Sequence, residues 1–139
     1  MARLTLSLGS NLGDRRSNIE EALRRLDALL GPEDAVTPMI NTSACGFRGP
    51  DFLNCLVVYN SRRRPLTILK ICKEIEAQMG RHDTAEYDSC GRRIYHDRII
   101  DIDILTYGKR KINTSTLTIP HPQVESRPFI KELLLLLQD

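Results

Sequence analysis

The apolar residues of this chain switch repeatedly between a period of two and a helical period, and the order of those switches restricts the fold to few choices. Leu4, Leu6 and Leu8 alternate with Arg3, Thr5 and Ser7, as in a strand with one buried face. Gly9 to Gly13 ends it, and Asp14 can cap a helix whose stripe is Ile19, Ala22, Leu23, Leu26, Leu29 and Leu30, closed by Gly31 and Pro32. Ala35 to Thr42 reads as a weaker strand, and Pro38 inside it suits a sheet edge. Phe52 to Asn60, rich in Val, Leu, Phe and Tyr, reads as a strand buried on much of both faces. Pro65 opens a second helix with the stripe Ile68, Ile71, Cys72, Ile75 and Met79, and Gly80 stops it. Arg81 to Asp97 has no apolar period, and so long a loop in a compact domain is usually functional or disordered. Ile99 to Tyr107 resumes as a strand, Lys109 to Thr118 reads as a short hairpin, and Ser126 to Gln138 as a closing helix. Strand, helix, strand, strand, helix, strand is the ferredoxin-like βαββαβ arrangement, an α+β fold with an antiparallel sheet, helices on one face and long loops.

With 139 residues, one domain over 1–139 with a single core is expected. Hydrophobic residues at 41% and charged residues at 27% place it among ordinary folded soluble proteins. A net charge of +2 gives no case for nucleic acid, although arginines gather locally where a small anion could meet them. Cys45, Cys55, Cys72 and Cys90 form no CxxC pair and no zinc-like spacing with His82, His96 and His121, so they read as free thiols suited to a reducing cytoplasm. No signal peptide is read at Met1 to Leu8, and Leu133 to Leu137 is far short of the roughly 20 residues that span a membrane.

The chemistry concentrates in Arg98-Ile99-Ile100-Asp101-Ile102-Asp103-Ile104. Alternation sends the isoleucines to one face and both aspartates to the other, about 6.6 Å apart along the strand. Two carboxylates that close repel each other, and aspartate is a poor strand former, so the pair costs stability unless a cation neutralises it. Magnesium takes one or two carboxylates and completes its shell with water and phosphate oxygens. Arg81, Arg92, Arg93 and Arg98 flank the pair, and phosphate transfer needs both signs of charge. A strand whose polar face merely meets water is the plain alternative. Gly9-Ser10-Asn11-Leu12-Gly13-Asp14 joins strand to helix but is neither a Walker A loop nor a dinucleotide fingerprint.

Several blocks in this order resemble the 6-hydroxymethyl-7,8-dihydropterin pyrophosphokinase family. They are Leu8 to Arg15, Pro50-Asp51-Phe52-Leu53-Asn54, Ile75-Glu76 with Gly80-Arg81, Arg98 to Leu105, and Leu117-Thr118-Ile119-Pro120-His121-Pro122 with Arg127 and Phe129. The resemblance implies transfer of diphosphate from Mg-ATP to the pterin hydroxymethyl group, with AMP released. It implies two magnesium ions on Asp101 and Asp103, and Arg81 and Arg98 on the ATP phosphates as catalytic contacts. Ile104, Thr118, His121 and Arg127 would hold the nucleotide. Asn54 would hydrogen-bond a pterin ring stacked between Phe52 and Phe129, with Thr42, Ser43 and Cys45 completing the pocket and Glu76 nearby. Arg81 to Asp97 would be a lid, with Tyr95 as its stacking aromatic.

The sequence departs from the family pattern in places. Asp83 stands where a second lid arginine is expected, leaving Arg92 or Arg93 to substitute, and Tyr95 stands where tryptophan is common. The chain ends soon after Leu137, earlier than the resemblance leads one to expect, so the terminal leucines are candidates to face a partner in a monomer or weak homodimer. Two rivals remain at this level. One is an inactive ATP- and pterin-binding pseudoenzyme. The other is a ferredoxin-like RNA-binding module, opposed by 5% aromatics, no Trp and an acidic strand pair.

Overall fold

A computed structural model describes residues 1–43, 50–80 and 99–137, and the backbone of 86–87 and 93–94. The expected lid, including Arg81, Asp83, Tyr95 and Arg98, lies outside the described side chains, as does Cys45.

The sheet is built around β1 (Ala2–Ser10), whose residues from Leu4 onward are all buried. It pairs antiparallel with β4 (Phe52–Ser61) on one side and β7 (Asp101–Tyr107) on the other. β2 (Ala35–Val36) and β3 (Ile40–Thr42) both pair with β4. This is the neighbour order of a ferredoxin-like sheet, with its second strand cut in two at Pro38, which has no N–H to give. Thr37 mends the gap: its N–H donates to the Leu56 carbonyl at 2.9 Å, and its hydroxyl accepts from the Leu56 N–H at 2.9 Å.

α1 (Arg15–Leu30) and α2 (Pro65–Gln78) cover one face. Asp14 caps α1 by accepting from the Ser17 N–H at 3.1 Å, and Gly31 ends it at φ 90°, where a side chain would be strained. Ile19, Ala22 and Leu26 of α1, with Ile68, Cys72 and Ile75 of α2, pack on Leu4, Leu6, Leu8, Val57, Tyr59, Ile102 and Ile104. Fully burying each such aliphatic side chain contributes roughly 1.5–3 kcal/mol.

The expectation that helices take only one face needs correction. α4 (Pro128–Leu136) packs on the other face, where Ile130 and Leu133 meet Leu56 and Leu105. A bulge in β7 opposite Thr5 and Leu6 helps supply that contact: Leu105 sits between the rungs formed by Ile104 and Thr106. With Leu56 and Leu105 both apolar, the second face needs a cover.

The closing helix also begins later than Ser126. A short turn of helix, α3 (Gln123–Ser126), stops at Arg127, extended at φ −114° and ψ 112°, because a residue preceding proline is pushed out of the helical region. The hairpin after β7 pairs β8 (Ile112–Asn113) with β9 (Thr118–Ile119), and within 81–98 the backbone pairs β5 (Glu86–Tyr87) with β6 (Arg93–Ile94).

Candidate active site

Register decides what meets on the second face. Asp101 lies beside Gly9, Gly9 beside Asn54, and Asn54 beside Ile40, so one row crosses four strands; Asp103 lies beside Ser7 in the next row. Odd-numbered residues of β1 share the parity of the two aspartates, opposite Leu6 and Leu8. A small chamber of about 40 Å³ stands over these rows, lined by Ser7, Gly9, Phe52, Asn54, Asp101, Asp103, Gln123, Arg127 and Phe129. A second cleft, of about 320 Å³, is lined by Leu69, Lys73, Ile102, Asp103, Ile104, residues Thr114 to Thr118, His121 and Pro122. Asp103 belongs to both walls.

Gly9 is required by a close approach. A Cβ there would stand 2.8 Å from Asn54 Oδ1 and 3.4 Å from the Phe52 ring. Asn54 is buried, and its Nδ2 donates to Thr42 Oγ1 at 2.5 Å, which fixes the amide across the β3–β4 rungs. Phe52 and Phe129 are half-buried and face the chamber, as a stacking pair must. The Arg127 guanidinium lies over the Phe129 ring, 4.6 Å from its centre.

Behind the acidic pair stands Glu76, 2% exposed on α2. Its Oε2 accepts the Ile102 N–H at 2.8 Å, and Lys73 Nζ lies 3.6 Å from Oε1. Ile102 sits between the two aspartates, so this bond fixes the strand that presents them. A buried carboxylate is costly unless hydrogen-bonded, and here it satisfies an outward N–H of an edge strand.

His121 is tied down by two bonds: its N–H donates to the Leu105 carbonyl at 2.9 Å, and its Nδ1 accepts from the Gln123 N–H at 3.1 Å. Nδ1 as acceptor leaves Nε2 to carry the proton, 3.9 Å from Asp103 Oδ1. Burial pushes the imidazole below its ordinary value and outweighs the pull of Asp101, so His121 brings no full positive charge to the aspartates at neutral pH.

The donor set fits magnesium. Two hard carboxylates share a face, and among the described residues no group of three or more His, Cys, Asp or Glu could form a closed protein cage. An ion there would complete its shell with water and phosphate, as magnesium does with nucleotides.

The structure therefore brings together Phe52, Asn54, Thr42, Phe129, Asp101 and Asp103 around one chamber, and Ile104, Thr118 and His121 around the other. Arg127, expected with the nucleotide group, lines the first chamber, where the break before Pro128 turns it toward Phe129. Ser43 is exposed just past β3. Sequence reading missed Ser7 and Gly9, although their parity on β1 marked them, and Lys73, which is one helical turn from both Leu69 and Glu76.

An acidic pair in an aromatic, amide-bearing chamber, with one member, Asp103, also lining a hydroxyl- and imidazole-bearing cleft, is the layout of a two-substrate transferase. The chain belongs to the 7,8-dihydro-6-hydroxymethylpterin-pyrophosphokinase family, whose model matches residues 5–139. It is 39% identical to the 2-amino-4-hydroxy-6-hydroxymethyldihydropteridine pyrophosphokinase of Porphyromonas gingivalis, over 94% of this chain and 87% of that protein. The enzyme of the same name from Aquifex aeolicus is 35% identical over 93% of this chain and 76% of its own length. The folate synthesis bifunctional protein of Arabidopsis thaliana is 34% identical over 91% of this chain, which spans 25% of that protein. Membership makes the chain a pyrophosphokinase of folate synthesis that uses ATP with magnesium. Among the described residues no helix is long and apolar enough to cross a membrane.

Proposed function

We propose that this chain joins its two substrates at Asp103, with 6-hydroxymethyl-7,8-dihydropterin in the aromatic chamber and ATP in the wider cleft. The observation that carries this reading is that Asp103 lines both spaces, so that a phosphate brought in with a cation held at this carboxylate would be within reach of both. The pterin hydroxymethyl oxygen attacks the β-phosphorus of ATP, a P–O bond forms, and the bond to the α-phosphate oxygen breaks to release AMP.

Each residue then has a task. Phe52 and Phe129 stack the flat ring, and Asn54, buried and oriented by Thr42, reads its polar edge, with Ser43 and Cys45 bordering it. Ile104 and Thr118 line the nucleotide cleft, where His121 offers its Nε2 proton to a phosphate oxygen. Arg127, beside both aspartates, supplies a cation to the transferring group, joined by Arg81 and Arg98. Asp101 and Asp103 hold the metal, counted as two ions. When bound, magnesium neutralises the triphosphate and polarises the phosphorus under attack. No side chain is assigned as general base, since positioning and charge stabilisation carry most phosphoryl-transfer catalysis. The reading also takes 1–139 as one domain working in the cytoplasm as a monomer or weak homodimer.

The test is product analysis with purified protein. AMP should appear only when ATP, magnesium and the pterin alcohol are all present. Formation of ADP, or AMP release that ignores the pterin, would overturn the assignment.

A further inference from the structure

We propose that Arg15, which does not line the pterin chamber, is a positioning residue for the pterin. It fastens the open end of the β3–β4 hairpin and thereby sets Thr42, Phe52 and Asn54. The proposal rests on the reading of the first chamber as the pterin site.

The hairpin needs fastening. β3 contributes three residues, Ile40, Asn41 and Thr42, at the edge of the sheet, and its outermost rung pairs Thr42 with Phe52. A strand that short is weakly held by its own ladder. Yet it carries the hydroxyl that orients Asn54. Arg15, the first residue of α1, reaches across both arms. Its Nη1 donates to Asn41 Oδ1 at 2.7 Å on β3 and to the Asp51 carbonyl at 2.9 Å just before β4. Asn41 Nδ2 closes the triangle by donating to Asp51 Oδ2 at 2.9 Å.

The segment that holds Arg15 is itself anchored. Asn18 Nδ2 donates to Ser10 Oγ at 3.1 Å and to the Leu12 carbonyl at 2.8 Å, and Asn11 Nδ2 donates to the Pro50 carbonyl at 3.2 Å. The end of β1, the turn after it and the start of α1 thus grip the hairpin at three points: Gly9 against Asn54, Asn11 at Pro50, and Arg15 across Asn41 and Asp51. A guanidinium suits the last task because its fixed planar fork, always charged, loses little freedom on bridging two acceptors. Both acceptors belong to the hairpin, which makes Arg15 a brace of the acceptor pocket rather than a phosphate contact.

The experiment starts with pterin-dependent AMP formation by the unaltered enzyme; its absence would reject the pterin reading itself, whatever Arg15 does. Given that activity, Arg15→Ala should raise the KM for the pterin about tenfold, roughly the worth of one of the two charge-assisted hydrogen bonds it removes. The KM for ATP should stay within about twofold, because the ATP cleft shares no residue with the brace. Arg15→Lys, which keeps one cationic donor, should recover part of the loss. Arg16→Ala, the exposed neighbour, should behave as wild type. Equilibrium binding of the pterin with an unreactive ATP analogue should weaken in parallel. An unchanged pterin KM in a folded variant, or an equal rise in both KM values, would overturn the proposal. If Arg15→Ala does not fold, Arg15→Gln is read by the same criteria; failure of that variant also to fold would mean that Arg15 supports the whole domain, which equally overturns it.

Discussion

At the scale of single residues, the site depends on what is missing as much as on what is present. Gly9→Ala would place a methyl 2.8 Å from Asn54 Oδ1, closer than real contacts allow, and Asn54 cannot retreat because Thr42 holds its amide. Steady-state kinetics on the variant should show the pterin KM raised by about tenfold or more, with the fold retained by circular dichroism. Asp103→Asn keeps the shape of the side chain but removes a charge, and because it stands in both walls it should cut kcat by at least about a hundredfold, measured as AMP formed. A near-normal rate would remove the metal assignment. Cys55 and Cys72 make the opposite point. Burial pushes both thiols up to about 12, so neither forms thiolate at pH 8. Peptide mapping after iodoacetamide treatment of the folded protein should find both unmodified, and labelling of either would mean that the core opens.

At the scale of elements, β7 is a strand held from both sides, by β1 through its ladder and by α2 through Glu76. Glu76→Leu would strand the Ile102 N–H without an acceptor, a cost of about 1–3 kcal/mol, visible as a lower melting temperature and a reduced rate. Glu76→Gln keeps a carbonyl in place and should lose less. How far such elements were legible differs from one to the next. The alternation around Asp101 and Asp103 declared their shared face, and the stripes of α1 and α2 marked the sides that now pack, except at Leu29, which is exposed, because period is a local property. The resemblance set Glu76 near the site, but by pattern alone it looked like any polar helix position. Its burial depends on where α2 crosses the sheet, which no local pattern records. The face taken by α4 was equally hidden: its stripe of leucines would suit either side, and the choice rests on Leu56 and Leu105 standing on the same face with one strand, β1, between theirs. The direction of Arg127 was hidden for a similar reason, since the turn before Pro128 decides it.

At the scale of the whole molecule, the fold and the aspartate pair are separable. Both apolar clusters, one on each face of the sheet, leave Asp101 and Asp103 outside. Chelation with EDTA should therefore abolish AMP formation while leaving the far-ultraviolet circular dichroism spectrum and, without nucleotide, the melting temperature nearly unchanged; unfolding on chelation would make the ion structural. One side chain common to two compartments also constrains equilibrium behaviour. Any factor by which a loaded nucleotide strengthens capture of the pterin must be matched when the order of addition is reversed. Paired calorimetric titrations, run from either direction, should close the same thermodynamic cycle, and a protein with Asp103 replaced should lose the cooperativity from both ends at once.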